Sequence, residues 1–357
     1  MKLPSLKIGN LTVVVPIIQG GMGIGVSLSS LASAVANEGG IGIISAAQIG
    51  YMEEDFETNN KEANIRGLIS QIRKARTLSP NGIIGVNIMV AMNNYREMVI
   101  TAVEEKIDLI ISGAGLPMDL PEMVKGSATK AAPIVSSGRA AALISKVWDK
   151  KYSYVPDAVV VEGPKAGGHL GFKLEQLDEI ENYELTGIVK EVIEVLKPYE
   201  EKYNKKIPVI AAGGIYTGQD IAKCLKAGAA GVQMATRFAA TDECDADIKF
   251  KMAYIHAKEE DIGIIKSPVG MPGRAVGNKF LDEVSRGDIQ VKRCFNCIKT
   301  CNPKNTPYCI TKALIEAVKG NVDEGLIFVG TNAYRVDKIV PVKELMEELV
   351  SEAEAAL

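Results

Sequence analysis

Eight short apolar runs recur along the first 240 residues, and each of them ends in small or polar residues. Their apolar character is continuous rather than alternating, which is typical of strands that are buried on both faces of a parallel sheet. Half-buried antiparallel strands would instead alternate apolar and polar residues. The runs occupy residues 13–18, 41–44, 83–90, 109–111, 133–135, 159–161, 208–210 and 231–234.

Segments with helical patterns separate these runs. Eight strand–helix units in one chain predict a (β/α)8 TIM barrel, an α/β fold in which helices surround a closed parallel sheet. A doubly wound open sheet with an extra domain is the alternative, because strand number alone does not establish closure. The helical segments occupy residues 29–38, 65–77, 95–106, 140–150, 188–204 and 218–226.

The chain continues for more than 100 residues beyond the last apolar run, which predicts a C-terminal capping region. We expect helices at 248–260, 307–319 and 342–354, and a loop at 267–274. The long gap between His169 and the helix near residue 188 predicts a lid. The predicted division is a barrel at 1–241, a cap over the barrel mouth at 242–340, and a helix on the barrel at 341–357.

The net charge and the hydropathy of the chain limit the kinds of binding partner that we expect. The formal net charge of −3 argues against binding to nucleic acid. No apolar stretch is long enough to cross a bilayer, and the N-terminus lacks the apolar core of a secretory signal. We therefore expect a cytoplasmic protein with a small-molecule substrate and no membrane partner, and a homodimer is compatible with the sequence.

The segment 162–171, Glu-Gly-Pro-Lys-Ala-Gly-Gly-His-Leu-Gly, follows the sixth apolar run and predicts an active-site rim. Glycines let the backbone approach a ligand closely, and an imidazole can exchange a proton near neutral pH. His169 is therefore the candidate catalytic residue. The only other histidine, His256, lies in a predicted helix and is interpreted as a surface or packing residue.

The residues at two further strand ends are suited to bind a phosphate group. Gly213 and Gly214 follow the seventh run, and Ala235 and Thr236 follow the eighth, where barrels of this kind commonly bind phosphate through backbone N–H groups. A tight corner is the alternative reading of the glycine pair. Asn87 is a polar residue within an apolar run, and its amide needs either a ligand edge or a neighbouring backbone carbonyl as a partner.

Four cysteines cluster with the spacing C-x2-C-x3-C-x7-C. In a reducing compartment such a cluster favours an iron–sulfur cluster or a zinc ion over disulfides. Four reduced cysteines that merely lie near one another are the alternative. The candidate metal ligands are Cys294, Cys297, Cys301 and Cys309.

The first glycine-rich loop, at 21–25, lacks the spacing of a dinucleotide-binding fingerprint, and we expect it to lie against a flat ring system. Together with the other strand ends it resembles the 2-nitropropane dioxygenase-like flavoproteins. That family includes nitronate monooxygenases, flavin-dependent enoyl-acyl-carrier-protein reductases and NADH:quinone reductases. The motifs that carry the resemblance lie at 16–23, 85–87, 112–115, 162–171, 211–215 and 231–238.

The resemblance implies FMN as the cofactor. Gly21, Met22 and Gly23 would lie against the isoalloxazine ring, and Asn87 and Glu162 would hydrogen-bond its polar edge. The residues that would hold the ribityl phosphate are Gly167, Gly213, Gly214, Gln233, Met234, Ala235 and Thr236.

The function that the resemblance implies first is that of a nitronate monooxygenase, which oxidises alkyl nitronates with O2 to a carbonyl compound and nitrite. His169 would bind the nitronate oxygens or act as a base on a nitroalkane, with a pKa near the working pH. The alternative is an NAD(P)H-dependent enoyl-acyl-carrier-protein or quinone reductase, and the first loop at 19–22 and Glu162 resemble the reductases more. An alternative of another class is a phosphate-binding barrel lyase without flavin.

Overall fold

The computed structural model describes residues 1–357 and begins with a hairpin of two antiparallel strands, β1 (Leu6–Ile8) and β2 (Leu11–Val13). The hairpin packs against the residues that fill the inside of the sheet described next, and so closes its N-terminal end. Residues 13–18 were predicted to form a single strand, which is wrong. The end of β2 and the start of the next strand share this run, and the link between them runs from an exposed Val14 to a buried Pro16.

The eight predicted strands close into a parallel barrel, which confirms the (β/α)8 fold and excludes the open sheet. Their order around the barrel is that of the chain, and the last strand pairs with the first. The barrel strands are β3 (Ile17–Gln19), β4 (Ile41–Ser45), β5 (Ile83–Met89), β6 (Leu109–Gly113), β7 (Lys130–Val135), β8 (Val159–Glu162), β10 (Val209–Ala212) and β11 (Gly231–Met234), while β9 (Gly168–His169) lies outside the barrel.

Helices cover the outside of the barrel, and their buried residues form one apolar layer with the outward face of the strands. Packing is close: a Cβ on Gly42 in β4 would lie 1.7 Å from Ala32 O in the first helix, so only glycine fits there. The helices of this layer are α1 (Ser29–Asn37), α2 (Asn60–Leu78), α3 (Tyr95–Glu104), α4 (Leu120–Val124), α5 (Gly138–Tyr152), α6 (Leu174–Asp178), α7 (Leu185–Tyr203) and α8 (Gly218–Lys226).

The segment after the barrel adds short helices and a hairpin. The hairpin strand β13 also pairs with β9, so that Gly273 lies opposite His169 and Arg274 opposite Gly168. Residues 272–274 are therefore strand, and the prediction of a loop over 267–274 is wrong at its second half. The elements are α9 (Thr236–Ala239), α10 (Ile248–His256), β12 (Ile262–Lys266), β13 (Pro272–Val276), α11 (Lys279–Arg286) and α12 (Ile310–Val318).

The last helix, α13 (Val342–Ala356), returns to the barrel wall. Its residues Leu345, Met346 and Leu349 are buried in the same apolar layer as the barrel helices. A helix was predicted there, and the structure contains it; the division of the chain at residues 241 and 340 stays a prediction. No helix of the structure combines the length and the apolar character that crossing a membrane requires.

Candidate active site

One cavity of about 500 Å³ lies at the C-terminal ends of the barrel strands. This size is within the usual range for a small-molecule or cofactor site. The wall includes His169 and every residue predicted to hold the cofactor, which come from five different strand ends. Residues of the segment after α9, among them Tyr254, Leu314 and Phe328, complete the wall.

The first loop presents bare backbone to this cavity. A Cβ on Gly21 would lie 2.4 Å from Asn87 Cβ, and a Cβ on Gly23 would lie 2.7 Å from both Ala47 Cβ and Ser45 Oγ. Side chains at these positions would not fit without displacing their neighbours. The N–H of Met22 donates to Ser27 Oγ at 2.8 Å, which fixes the loop between the two glycines.

Glycines also shape the strand ends predicted to bind phosphate. Gly213 and Gly214 have φ values of +93° and +80°, a region that favours glycine. The N–H groups of Gly213, Gly214 and Ala235 donate to no acceptor within the protein. Thr236 begins the short helix α9 directly after β11. Three unpaired N–H donors at one end of a cavity are suited to bind an anion.

Lys165 lies over this glycine end and was not among the predicted site residues. A Cβ on Gly214 would be 2.8 Å from Lys165 Cβ, and Lys165 is the only lysine or arginine on the cavity wall. Its position inside the 162–171 motif was the available signal. The cationic side chain and the free N–H donors together make this end of the cavity favourable for negative charge.

Two amide side chains differ in how they are satisfied. Asn87 Nδ2 donates to Ile111 O at 3.3 Å, so the backbone-carbonyl partner that we considered for it exists. Gln233 Oε1 is buried and accepts no hydrogen bond. Buried acceptors without partners are rare in folded proteins, and this one lies on the cavity wall. A ligand with a donor at this position would satisfy it.

Glu162 ends β8 on the cavity wall, and burial raises its pKa to about 8. The cause is desolvation, which disfavours the charged carboxylate. At neutral pH the carboxyl group is therefore mostly protonated. It can then donate a hydrogen bond to a ligand as well as accept one.

His169 lies on β9, at the border between the glycine-lined part of the cavity and the part formed by the segment after α9. Its Nε2 is 2.7 Å from Ser267 Oγ, and its ring meets Phe328 edge-on at a centroid distance of 5.0 Å. Burial lowers its pKa to about 4. Burial disfavours the imidazolium, which contradicts the expectation of a pKa near neutral pH.

Ser267 is a second residue that sequence reasoning missed. It lies in the turn after β12, 98 positions from His169, and the pairing of β13 with β9 brings the two together. The N–H of Val269 donates to Ser267 Oγ at 3.3 Å, which helps to fix the hydroxyl. His256, in contrast, is exposed at the end of α10, as expected for a surface residue.

The clustered cysteines do not form a metal centre in this structure, since no group of three or more His, Cys, Asp or Glu side chains is placed to hold a metal ion. The metal-site hypothesis for Cys294, Cys297, Cys301 and Cys309 thus gains no support. Burial raises the pKa of the Cys297 thiol to about 11. Cys297 lies on the cavity wall, and Cys294 is exposed.

Comparisons with known proteins give a consistent picture. The model of the nitronate monooxygenase family matches residues 4–352. A protein of Staphylococcus aureus (strain Newman) described as a probable nitronate monooxygenase is 30% identical over 312 residues, which cover 78% of this chain and 80% of that protein.

Solved structures show the same fold. FabK from Thermotoga maritima superposes with a TM-score of 0.72 at 27% identity, over 96% of this chain and 93% of that one. A nitroalkane oxidase from Streptomyces ansochromogenes superposes with a TM-score of 0.72 at 22% identity, over 96% of both chains. Because the sequence identity with the nitroalkane oxidase is only 22%, this similarity is evidence for the fold alone.

Proposed function

The chain belongs to the nitronate monooxygenase family of oxidoreductases, and we propose that it is an FMN-dependent enzyme that oxidises alkyl nitronates with O2. The products would be a carbonyl compound and nitrite. The observation that carries this proposal is the position of His169, which Ser267 holds between the glycine-lined part of the cavity and its apolar wall.

The residues of the cavity fit FMN. Gln233 Oε1 lacks a partner that the cofactor would supply, and Gly21 and Gly23 line the cavity with bare backbone against which its ring would lie. Asn87 and Glu162 would bind the polar edge of the ring. The residues that would hold the ring face and the ribityl phosphate are Gly21, Met22, Gly23, Gly167, Gly213, Gly214, Gln233, Met234, Ala235 and Thr236, with Lys165 beside the phosphate.

When bound, FMN would supply the redox chemistry between the nitronate and O2. The proposed role of His169 is then to bind the nitronate substrate. One imidazole nitrogen is paired with Ser267 Oγ, and the other has no partner in the protein. A neutral imidazole can donate a hydrogen bond from one nitrogen to an anionic nitronate oxygen without adding a charge.

The same pKa makes His169 a poor base. An imidazole whose conjugate acid has a pKa of about 4 removes a carbon-bound proton less readily than an ordinary histidine. We therefore propose that the substrate enters as the preformed nitronate anion, not as the neutral nitroalkane. Protonated Glu162 would serve as a hydrogen-bond donor to the cofactor edge, where a carboxylate would repel negative charge.

NAD(P)H-dependent reduction of an enoyl thioester or a quinone is the second candidate. The observation that favours it is that the cavity wall beyond His169 is uncharged and would accept an acyl chain as well as an alkyl chain. The lyase without flavin is not retained, because the family is one of oxidoreductases.

Product analysis tests the proposal. The purified protein should carry FMN, and with an alkyl nitronate in air it should consume O2 and release nitrite with the matching aldehyde or ketone. Heat-inactivated protein controls for the spontaneous decay of nitronates. Nitrite release no faster than in that control, from protein loaded with FMN, would overturn the monooxygenase assignment and leave the reductase.

A further inference from the structure

A second cavity, of about 660 Å³, lies on the other side of α12 from the candidate active site. The helix is the shared wall, since Thr311 and Leu314 line the active-site cavity whereas Lys312 lines the second one. Two of the clustered cysteines, which the proposed function does not use, lie on opposite sides of this wall. Cys297 lines the active-site cavity, and Cys309 lines the second cavity.

Thr311 lies between these two thiols. Its side chain is hydrogen-bonded to the thiol of Cys297. Burial raises the pKa of the Cys309 thiol, and the backbone N–H of Thr311 opposes this rise. Burial also raises the pKa of Cys297, and the sulfur of Cys309 adds to that shift more strongly than the sulfur of Cys301 does. Because the interaction between charges weakens with distance, the sulfurs of Cys297 and Cys309 lie close together. The thiol of Cys301 is instead hydrogen-bonded to the side chain of Thr306.

The two thiols belong to parts of the chain that are anchored separately. Cys297 lies in an irregular segment that is fixed to the loop after β5: its carbonyl oxygen accepts from the N–H of Asn93 at 3.1 Å, and the N–H of Lys299 donates to Ala91 O at 2.9 Å. Cys309 is the N-cap residue of the nine-residue helix α12. It is half-buried and faces the second cavity, so a small reagent can reach it there while Cys297 stays buried.

We propose that Cys297 and Cys309 form a dithiol–disulfide couple, which in its oxidised state ties the start of α12 to the segment held on the barrel. The oxidant is a low-molecular-weight disulfide. The thiolate of Cys309 attacks one sulfur of the reagent and releases the first thiol. The thiolate of Cys297 then attacks the Cys309 sulfur, which forms the protein disulfide and releases the second thiol. Two electrons and two protons thereby pass from the protein to the reagent.

Thiol mapping on the full chain tests the couple independently of the proposed function. The protein is equilibrated with 2-mercaptoethanol and its disulfide, free thiols are alkylated, and tryptic peptides are analysed by mass spectrometry without reduction. Cleavage after Lys299 and Lys304 places Cys297, Cys301 and Cys309 on separate peptides. We expect a linkage between the peptides of Cys297 and Cys309. No such linkage, a linkage of Cys297 to Cys301, or one equivalent of zinc or iron in the purified protein would overturn the proposal.

A variant pair assigns the sulfur atoms. Cys309→Ser should lose the linkage, and it should fold because serine is a favourable N-cap residue. Cys294→Ser is the matched control, since Cys294 shares a tryptic peptide with Cys297 but is exposed. This variant should keep the linkage. Loss of the linkage in Cys294→Ser, or its persistence in Cys309→Ser, would contradict the pairing.

The couple should also act on the active-site cavity, and this step rests on the proposed function for the choice of substrate. The disulfide removes the thiol that is bonded to Thr311 on the cavity wall. In FMN-loaded protein, oxidation should therefore raise KM for the nitronate of 1-nitrobutane about threefold, the change expected for one lost hydrogen bond. Reduction should reverse the change, and Cys309→Ser should not show it.

The two readouts separate the possible failures. An unchanged KM in protein whose disulfide has been mapped would overturn the effect on the cavity. If neither redox state oxidises the nitronate, the proposed function fails, and the mapped linkage still supports the thiol couple.

Discussion

His169 combines two properties that act in the same direction. Burial keeps the imidazole neutral, and Ser267 fixes one of its nitrogens. A residue in this state orients a ligand through hydrogen bonds and does not titrate near pH 6.5. His169 therefore contributes to the site by positioning the ligand. Its own position depends on the contact with Ser267, which is far from it in the chain.

Replacement of His169 by Asn should lower kcat/KM by about one to two orders of magnitude, which is the loss expected for a hydrogen bond to an anionic substrate. The amide retains hydrogen-bonding capacity but loses the ring and its contact with Phe328. FMN should stay bound, because the glycine loops and Gln233 remain. Absorbance spectra and steady-state assays measure the two effects; a variant with unchanged turnover would show that His169 does not act on the substrate.

Glu162 gives a prediction about pH. Because burial raises its pKa from 4.5 to about 8, the folded state holds this proton more tightly than the unfolded state does. The resulting stabilisation is fully present below pH 4.5 and is lost as pH rises through 8. In flavin-free protein, Glu162→Gln should therefore raise the free energy of unfolding by about 5 kcal/mol at pH 9 and leave it unchanged at pH 4.

Urea denaturation at the two pH values measures this difference. Glu175→Gln is the control, because Glu175 is exposed on α6 and should show no pH-dependent gain. A Glu162→Gln variant that is equally stable relative to wild type at both pH values would mean that the carboxyl group is not desolvated.

Most of the individual residues of the candidate site could be predicted from the sequence. Gly21, Gly213 and His169 follow strand ends, and strand ends meet at one mouth of a barrel. Ser267 and the pKa of His169 could not be predicted, since both depend on the pairing of β9 with a hairpin that comes about 100 residues later. Local patterns carry no information about such contacts.

At the scale of elements, the hairpin of β12 and β13 fastens the loop at 162–171. Arg274 on β13 is buried, and its guanidinium donates to Pro164 O at 2.8 Å and also to Ala166 O. Burial lowers its pKa to about 10, so the charge is kept at neutral pH. This contact holds the loop that carries Lys165 and His169 against the hairpin.

Arg274→Ala should lower the free energy of unfolding by about 3 kcal/mol, because two buried carbonyl groups lose their donor. It should also weaken FMN binding through the loosened loop. Arg286→Ala is the control, as Arg286 is exposed and paired only with Asp288, and should change stability by less than about 0.5 kcal/mol. Urea denaturation and flavin titration measure both; equal effects in the two variants would contradict the fastening role.

Element prediction succeeded where patterns were long and regular. All eight barrel strands and the six helices predicted between them are present, because buried parallel strands are continuously apolar. The hairpin of β1 and β2 and the strand β13 were missed. Their runs are short, and Pro272 and Gly273 in β13 read as a turn in the sequence although pairing with β12 makes them strand.

The whole molecule joins a closed barrel, which supplies the glycine-lined end of the cavity, to a segment that supplies an uncharged part of the cavity wall. Neither part forms the cavity alone: the anion-favouring end comes from strand ends, and the uncharged wall comes from residues 242–340. Strand number predicted the barrel, whereas the identity of the substrate depends on the chemistry of a wall assembled from distant segments.

Anaerobic mixing tests the central claim most directly. FMN-loaded protein is mixed without O2 with 1-nitrobutane nitronate or with NADH, and flavin absorbance is followed in a stopped-flow instrument. We predict that the nitronate bleaches the flavin within the time of one turnover, that O2 restores the colour, and that NADH bleaches it far more slowly. Rapid bleaching by NADH, with no effect of the nitronate, would contradict the account and establish a reductase.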